Sequence, residues 1–293
     1  MADQRVWTVG EALDWTRSYL ESKGDPKSRL SAEWLLSHAT GLSRIELYAF
    51  FDRPLSPEER ATLRAGVARR AEGEPLQYVS GEVAFRHLVL KVGSGVLIPR
   101  PETEVLVDLA LASIADTDAP RVLDVGTGSG AIGLSIVREH PSATVVATDI
   151  SQAAADQASA NAERLSLAER AEIRVGDLFD PIDPAEYGSF DVVVSNPPYV
   201  PSAEVAALDR EVAGFEPHLA LDGGQDGLDI FRRMVATAHE LLRPGGVFLV
   251  ELHESNAPQA RALAVELNVY GEVSVLADLA GRHRFVRCVR PVG

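Results

Sequence analysis

Through the first 73 residues apolar positions recur near helical spacing, as in Leu13, Tyr19 and Leu20, then Leu30, Trp34 and Leu35. Three hydroxyl–glutamate pairs, Thr8 with Glu11, Ser43 with Glu46 and Ser56 with Glu59, spell capping boxes at helix starts. Asp25-Pro26 reads as a fourth start, with proline at the first helical position, and Gly24 and Gly41 stand where helices stop. Arg60, Arg64, Arg69 and Arg70 fall on the last of these helices and read as a solvated basic face. Nothing in this region has catalytic spacing.

The pattern changes at residue 74. Val83-Ala84-Phe85 and Leu88-Val89-Leu90 flank Arg86-His87 as a small hairpin, after which Gly93, Gly95 and Pro99 break the chain. Beyond it, strands alternate with helices. A helix is expected from Pro101 to about Ala115, and strands at Arg121–Val125, Thr144–Thr148, Ile173–Val175, Phe190–Val194 and Val247–Leu252. Intervening helices start near Gly130, Ser151 and Asp229, the last stopped by Pro244-Gly245-Gly246, and another lies near Pro258–Leu267. Two closing strands, Val273–Leu276 and Phe285–Val289, are too close for anything but a hairpin. This predicts an α/β fold, a doubly wound and mainly parallel sheet with one antiparallel edge. The expected organisation is a helical domain over 1–75, a β-hairpin linker over 76–100 and the sheet domain over 101–293.

Composition narrows the classes. A 46% hydrophobic, 24% charged chain is not a disordered one. No apolar run is long enough to span a membrane, and no basic start with an apolar stretch marks a secretory leader. The net charge of −15 lies almost wholly beyond residue 75, which argues against a protein that grips nucleic acid through its phosphates. The single cysteine, Cys288, excludes an intrachain disulfide and a cysteine metal cage and fits a cytoplasmic location. No metal cluster is expected.

Two motifs carry chemistry. Asp124-Val125-Gly126-Thr127-Gly128-Ser129-Gly130 leaves a strand and enters a helix, whose free N–H groups face an anionic ligand across glycines that let it approach. Asp149 ends the next strand, where an acid suits the two hydroxyls of a ribose. Together they make an adenosine-cofactor site. Gly128, Gly130 and Gly133 also fit the dinucleotide pattern, so an NAD site is the alternative. Gly126-x-Gly128-x-Gly130 behind Asp124 more closely resembles the first motif of class I S-adenosylmethionine methyltransferases.

The second motif, Ser195-Asn196-Pro197-Pro198-Tyr199, follows the fourth strand. Two prolines stiffen the loop and hold Asn196 and Pro197 extended. The Asn196 side-chain oxygen and the Pro197 carbonyl are two acceptors for the two hydrogens of a planar –NH2 group, against which Tyr199 can lie flat. Asn-Pro-Pro-Tyr marks methyltransferases of planar amino groups. Further stretches, Gly73 to Tyr78, Val96 to Glu104, Gly176 to Phe179, Phe215 to Pro217 and Gly223 to Leu228, resemble the HemK/PrmC family, the protein-(glutamine-N5) methyltransferases of peptide-chain release factors. The resemblance runs from about residue 10 to 290.

It implies the seven-stranded class I methyltransferase sheet, with S-adenosylmethionine as cofactor and S-adenosylhomocysteine as product. It further implies that Gly126, Thr127, Gly128, Ser129 and Gly130 hold the methionine end, that Asp149 binds the ribose and Leu178, after Asp177, flanks the adenine, and that Ile150 and Asp177 belong to the same cofactor site. Asn196 would touch both cofactor and substrate. Asn196, Pro197, Pro198 and Tyr199, with Arg100 and Glu102, would receive the glutamine of a Gly-Gly-Gln loop in class 1 release factors, and the helical domain would dock that protein. A monomer with no direct nucleic-acid partner and no membrane is expected. The chain's own Gly223-Gly224-Gln225 reads as a chance glycine turn. Two rivals stay open at this level: a nucleic-acid amino methyltransferase using the same loop, which would want a basic recognition domain, and a non-catalytic binder of the cofactor.

Overall fold

The computed structural model describes residues 6–292, which divide into two compact units: 6–82 with Asp209–Phe215, and Val83–Leu208 with 216–292. The first is helical. Its elements are α1 (Val9–Ser22), α2 (Ser28–Thr40), α3 (Arg44–Ala49), α4 (Pro57–Ala71) and α5 (Leu76–Ser80), joined by the one-turn α9 (Arg210–Ala213) from later in the chain. All three capping boxes form, at Thr8, Ser43 and Ser56. Val9, Leu13, Leu20, Leu35, Leu36, Leu47, Leu63 and Val67 make the core.

Two expectations fail here for one reason. Asp25-Pro26 does not open α2, which starts at Ser28 without a side-chain cap. Asp25 instead takes Ser31 Oγ at 2.6 Å and Arg70 Nε at 2.9 Å on one carboxylate oxygen. Arg70 is accordingly buried and also pairs with Glu211, so it leaves the solvated face on which the charge run placed it. A charge run shows spacing but not which member turns inward to meet a partner. The short α5 was also unexpected, and it lies in a stretch, 76–100, that is divided between the two units.

The second unit begins with the hairpin β1 (Glu82–Phe85) and β2 (Leu88–Lys91), then α6 (Thr103–Ile114), β3 (Arg121–Val125), α7 (Ala131–Glu139), β4 (Thr144–Asp149), α8 (Gln152–Arg164), β5 (Ala171–Val175) and β6 (Phe190–Ser195). It closes with α10 (Asp229–Leu241), β7 (Leu242–Glu251), α11 (Ala257–Glu266), β8 (Glu272–Ala277) and β9 (His283–Val289). The seven-stranded sheet runs β5-β4-β3-β6-β7-β9-β8, parallel except for β9, which is antiparallel to both β7 and β8. Strand residues alternate between two cores. Val122, Val192, Val194 and Leu249 face α6 and α7, whereas Leu123, Val193, Phe248 and Val250 face α10 and α11. Cys288 lies in the second core, where burial pushes its thiol up to about 12.

β7 starts five residues earlier than the Pro-Gly-Gly stop suggests. Leu242 pairs with Phe190, the register then slips past Pro244-Gly245-Gly246, and pairing resumes at Val192–Val247. The proline, lacking an N–H, sits in the slipped portion, as a proline inside a strand must.

Two polar side chains tie the hairpin to the sheet unit. Arg86, in the hairpin turn with φ of 50°, donates to both Glu139 oxygens at 2.6 and 2.7 Å and pairs with Asp108. Asn161, fully buried on α8, accepts from Lys91 N and donates to the Lys91 and Ser129 carbonyls, each at 2.8–2.9 Å. It thus joins β2, α8 and the glycine loop. Replacing it by leucine removes the partner of the buried Ser129 carbonyl and of two half-buried Lys91 backbone groups, at about 1–3 kcal/mol for the buried one and less for the others. Asn161→Leu should therefore lower the urea unfolding free energy by about 2–4 kcal/mol, and a loss below about 0.5 kcal/mol would mean that the three bonds are not needed.

Candidate functional site

In a parallel sheet, ligands meet the carboxyl ends of the strands where the order reverses. Here that point lies between β3 and β6. A cavity of about 320 Å³ opens there, lined by Gly126, Gly128, Asp149, Ile150, Asp177, Leu178, Asn196, Pro197 and Pro198, with Val96, Leu97 and Leu219 among its apolar walls.

The glycine loop is built around a buried carboxylate. Asp124 Oδ2 accepts from Thr127 Oγ1 at 2.7 Å and from Gly133 N at 2.9 Å. A side chain at Gly133 would stand 3.0 Å from that oxygen and 2.9 Å from Val145, so only glycine lets α7 approach. Gly126, Gly128 and Gly130 all have positive φ (71°, 58° and 84°), which fixes the turn. A Cβ on Gly126 or Gly128 would meet nothing within 4 Å, so the outer face of the loop is open space. Thr127, Ser129 and Gly130 are buried and do not line the cavity.

Asp149 does line it. Its Oδ2 accepts from Gly128 N and its Oδ1 from Ser151 N, both at 2.9 Å, while burial raises its pKa above the ordinary value. Burial likewise pushes Asp124 up to about 6, with a smaller push from Asp149. Two carboxylates therefore share a dry edge that favours a cation. Leu178, with φ of 50°, is held by Thr148 Oγ1 on its carbonyl, and the Asp177 carboxylate is paired with Arg233 at 2.7 Å.

The Asn196–Pro198 loop forms the opposite wall. Asn196 Nδ2 donates to Thr103 Oγ1 at 3.1 Å, and Ser195 Oγ to the Val125 carbonyl at 2.6 Å. Behind the loop, Val200 exchanges backbone bonds with Leu221 and Gly223, and Ser202 N donates to Gly224. A Cβ on Gly223 would lie 2.8 Å from the Pro198 carbonyl, and one on Gly227 2.2 Å from that of Tyr199. The Gly223-Gly224-Gln225 turn is thus a clip on the acceptor loop.

Three further predicted residues, besides Thr127, Ser129 and Gly130, are not brought to the cavity. Tyr199 packs against the core around α10 and α11, and Arg284 Nη2 donates to its hydroxyl at 3.3 Å. The ring packs on that core, and Tyr199 is not among the residues that line the cavity. Arg100 pairs with the buried Glu216 at 2.6 Å, and Arg282 donates to Glu102 at 3.1 Å. Sequence reasoning also missed Thr103, Asn161, Glu216 and Glu251. Of these, Glu251 is fully buried and pushed up to about 7 by burial. A glutamate ending a fully apolar strand run, Val247–Val250, was the available signal. Among the described residues no group of three or more His, Cys, Asp or Glu side chains could hold a metal ion.

The Asp124 shift has a defined pH sign. Its folded pKa lies above its unfolded value of ~3.9, so its charge costs nothing well below ~4, penalises the fold increasingly as pH rises from ~4 to about 6, and by a constant amount above that. Between ~pH 4 and ~pH 8, the unfolding free energy of Asp124→Asn should therefore gain about 1–3 kcal/mol on that of the parent chain. Urea unfolding across that range measures the difference, and a constant difference would remove Asp124 as its source.

Residues 11–81 match the PrmC N-terminal domain and residues 103–223 the methyltransferase small domain. Relatives named release factor glutamine methyltransferase include those of Geobacter sulfurreducens (48% identical, 84% of each chain), Rhodopirellula baltica (41%, 96% of this chain and 95% of that one) and Chlorobaculum tepidum (39%, 99% of each). Among solved structures the fold is similar to the hMettl16 catalytic domain in complex with MAT2A 3'UTR hairpin 6 (TM-score 0.56, 14% identity, 80% of this chain and 82% of that one). It is also similar to the T. thermophilus 16S rRNA N2 G1207 methyltransferase in complex with AdoMet and guanosine (TM-score 0.50, 20% identity, 71% and 49%). At 39–41% identity over nearly its full length to two of these relatives, the chain belongs to the family of release factor glutamine methyltransferases.

Proposed function

We propose that this protein transfers a methyl group from S-adenosylmethionine to the side-chain amide nitrogen of the glutamine in the Gly-Gly-Gln loop of class 1 peptide-chain release factors, acting as a cytoplasmic monomer. The observation that carries the reading is the pairing, across one cavity, of an acidic glycine-rich edge with a proline-stiffened loop that offers two acceptors.

The residues fit the cofactor. Gly126 and Gly128 leave open space where its methionine end would lie, and Asp149 has lone pairs left for ribose hydroxyls. Ile150 and Leu178 offer apolar cover for adenine, while Asp124 and Asp149 supply negative potential for its cationic groups. Asp177, already paired with Arg233, would act through its backbone. When bound, S-adenosylmethionine supplies an electrophilic methyl on sulfonium sulfur.

The chain's task is then positioning. An amide nitrogen is a weak nucleophile, since its lone pair is shared with the carbonyl. The Asn196 side-chain oxygen and the Pro197 carbonyl accept one hydrogen each from the –NH2, aim the nitrogen and stabilise positive charge as it develops. They also reject the oxygen end of the amide, which would face two lone-pair-bearing oxygens. The nitrogen proton becomes acidic only as the new C–N bond forms, so no strong base is required. Arg100 and Glu102, held by Glu216 and Arg282, would shape the entrance. The helical unit exposes Trp15, Trp34, Tyr48, Phe50 and Phe51, a surface suited to docking a protein substrate.

Incubating a class 1 release factor with the protein and S-adenosylmethionine should add one methyl to the Gly-Gly-Gln glutamine, read by peptide mass spectrometry. A Gln→Ala substrate and DNA should stay unlabelled; labelled DNA would favour the nucleic-acid alternative. Asn196→Ala should keep cofactor affinity within about threefold and slow single-turnover transfer by at least ~10²-fold. Asp149→Ala should do the reverse at the binding step, weakening cofactor affinity by roughly 10–100-fold in calorimetry, equivalent to about 1.5–3 kcal/mol. An unchanged affinity in the folded variant would remove Asp149 from the site.

A further inference from the structure

The sheet order sets the ends of β6 and β7 and the start of β9 side by side. Val250 pairs with Ser195 and Glu251 with Phe285, so Glu251 closes β7 between the acceptor loop and Arg284. The Arg284 backbone is fixed, its carbonyl accepting from Leu252 N at 2.8 Å. Its side chain, 11% exposed, reaches across the end of β7. There Nη2 donates to the Tyr199 hydroxyl at 3.3 Å and stands 3.8 Å from Oε1 of the fully buried Glu251. Tyr199 is held elsewhere too: its ring packs in the core beside α10 and α11, and its carbonyl accepts from Asn256 Nδ2 at 3.4 Å.

We propose that Arg284 is a positioning residue for methyl transfer, which grips the Tyr199 hydroxyl from β9 and so keeps the Pro197 carbonyl aimed at the amide hydrogen it accepts. Only Pro198 lies between Tyr199 and Pro197. Both proline rings fix φ, and Pro198 also confines Pro197 to extended backbone. A shift of Tyr199 therefore passes to the Pro197 carbonyl instead of being absorbed by loose torsions. Apolar contacts around the ring are non-directional and let it slide in its own plane. A hydrogen bond at the tip of the ring stops that slide. Arginine suits the task because it spans the end of a whole strand and stays ionised, so its donor is never lost.

Glu251 makes such a charge tolerable there. Positive charge develops on the amide nitrogen during transfer, and a bare guanidinium behind the acceptor loop would oppose it. A carboxylate beside the guanidinium cancels much of that field. The pair is a poor contact for the fold alone: at 3.8 Å it lacks a hydrogen bond, and among the described residues the buried Arg284 Nε and both Glu251 oxygens have no hydrogen-bond partner. What the guanidinium does hold is the tyrosine of the acceptor loop.

The inference rests on the proposed reaction, and single-turnover transfer at saturating cofactor and release factor separates the two. No labelling by the parent chain overturns the reaction, and the positioning role with it. Labelling by the parent with unslowed variants overturns the positioning role alone. Tyr199→Phe, which keeps the ring and removes the hydroxyl, should slow transfer roughly 10–100-fold at ~pH 8, with cofactor affinity and substrate KM within about threefold. Arg284→Met by itself strands Glu251 as a buried unpaired charge. The decisive variant is therefore Arg284→Met combined with Glu251→Gln, which removes both charges. It should keep a urea midpoint close to the parent's and yet transfer as slowly as Tyr199→Phe. Adding Tyr199→Phe to it should slow transfer no further, because the same hydrogen bond is lost in each case. Parent-like transfer by the paired variant, or losses that multiply when Tyr199→Phe is added, would overturn the grip. Should the paired variant not fold, Tyr199→Phe decides alone, and parent-like transfer there overturns the grip equally.

Discussion

A carboxylate held away from water organises the edge of the sheet on which everything else depends. Asp124 gathers the Thr127 hydroxyl and the Gly133 N–H, and those two bonds set the curvature of the glycine loop and the start of α7. Burying a charge without a counter-ion is costly, and the upward push on its pKa expresses that cost. Fold stability alone does not explain it, since a neutral side chain could accept the same two bonds. A cationic ligand does, because the field of Asp124 and Asp149 becomes favourable when a positive group arrives.

Rigidity is distributed around that edge by side chains with no chemical role. Asn161 joins the hairpin to the glycine loop, and Arg86 fastens the hairpin to α7 through Glu139 and to α6 through the Glu104 carbonyl. The Gly223–Gly227 turn backs the acceptor loop so closely that side chains are excluded at two of its glycines. A reaction that relies on placing a weak nucleophile within fractions of an ångström needs such support, because positioning is lost through any compliant element.

Most of the sheet was legible because its signals are local. Apolar runs gave the strands, capping boxes gave three helix starts, and the spacing between the last two strands allowed only the antiparallel edge. The glycine loop, Asp149 and Asn196–Pro198 were legible for the same reason, as each is a contiguous motif or a strand end. What escaped depends on partners distant in sequence. Asp25 looks like a cap until Arg70 arrives, Arg70 looks solvated until Asp25 does, and Tyr199 looks free to stack until the core beside α10 and α11 takes its ring. Thr103, Glu216 and Glu251 belong to this class: each is one polar residue given meaning by a contact with a residue 93, 118 and 33 positions away, respectively. The slip at Pro244–Gly246 is different. Proline and glycine announced an interruption, but sequence alone does not separate the end of a helix from an irregularity inside a strand.

The lone cysteine offers an intrinsic reporter. Cys288 pairs with Phe248 on one side and Val273 on the other, in the middle of the antiparallel edge, and its thiol is fully covered. A disulfide reagent in solvent can reach it only when β9 separates from a neighbouring strand or α11 lifts away. Its rate of modification is therefore a clock for opening of the sheet, kept without any introduced probe, and bound cofactor slows that clock only to the extent that the cofactor edge and the antiparallel edge open as one cooperative unit.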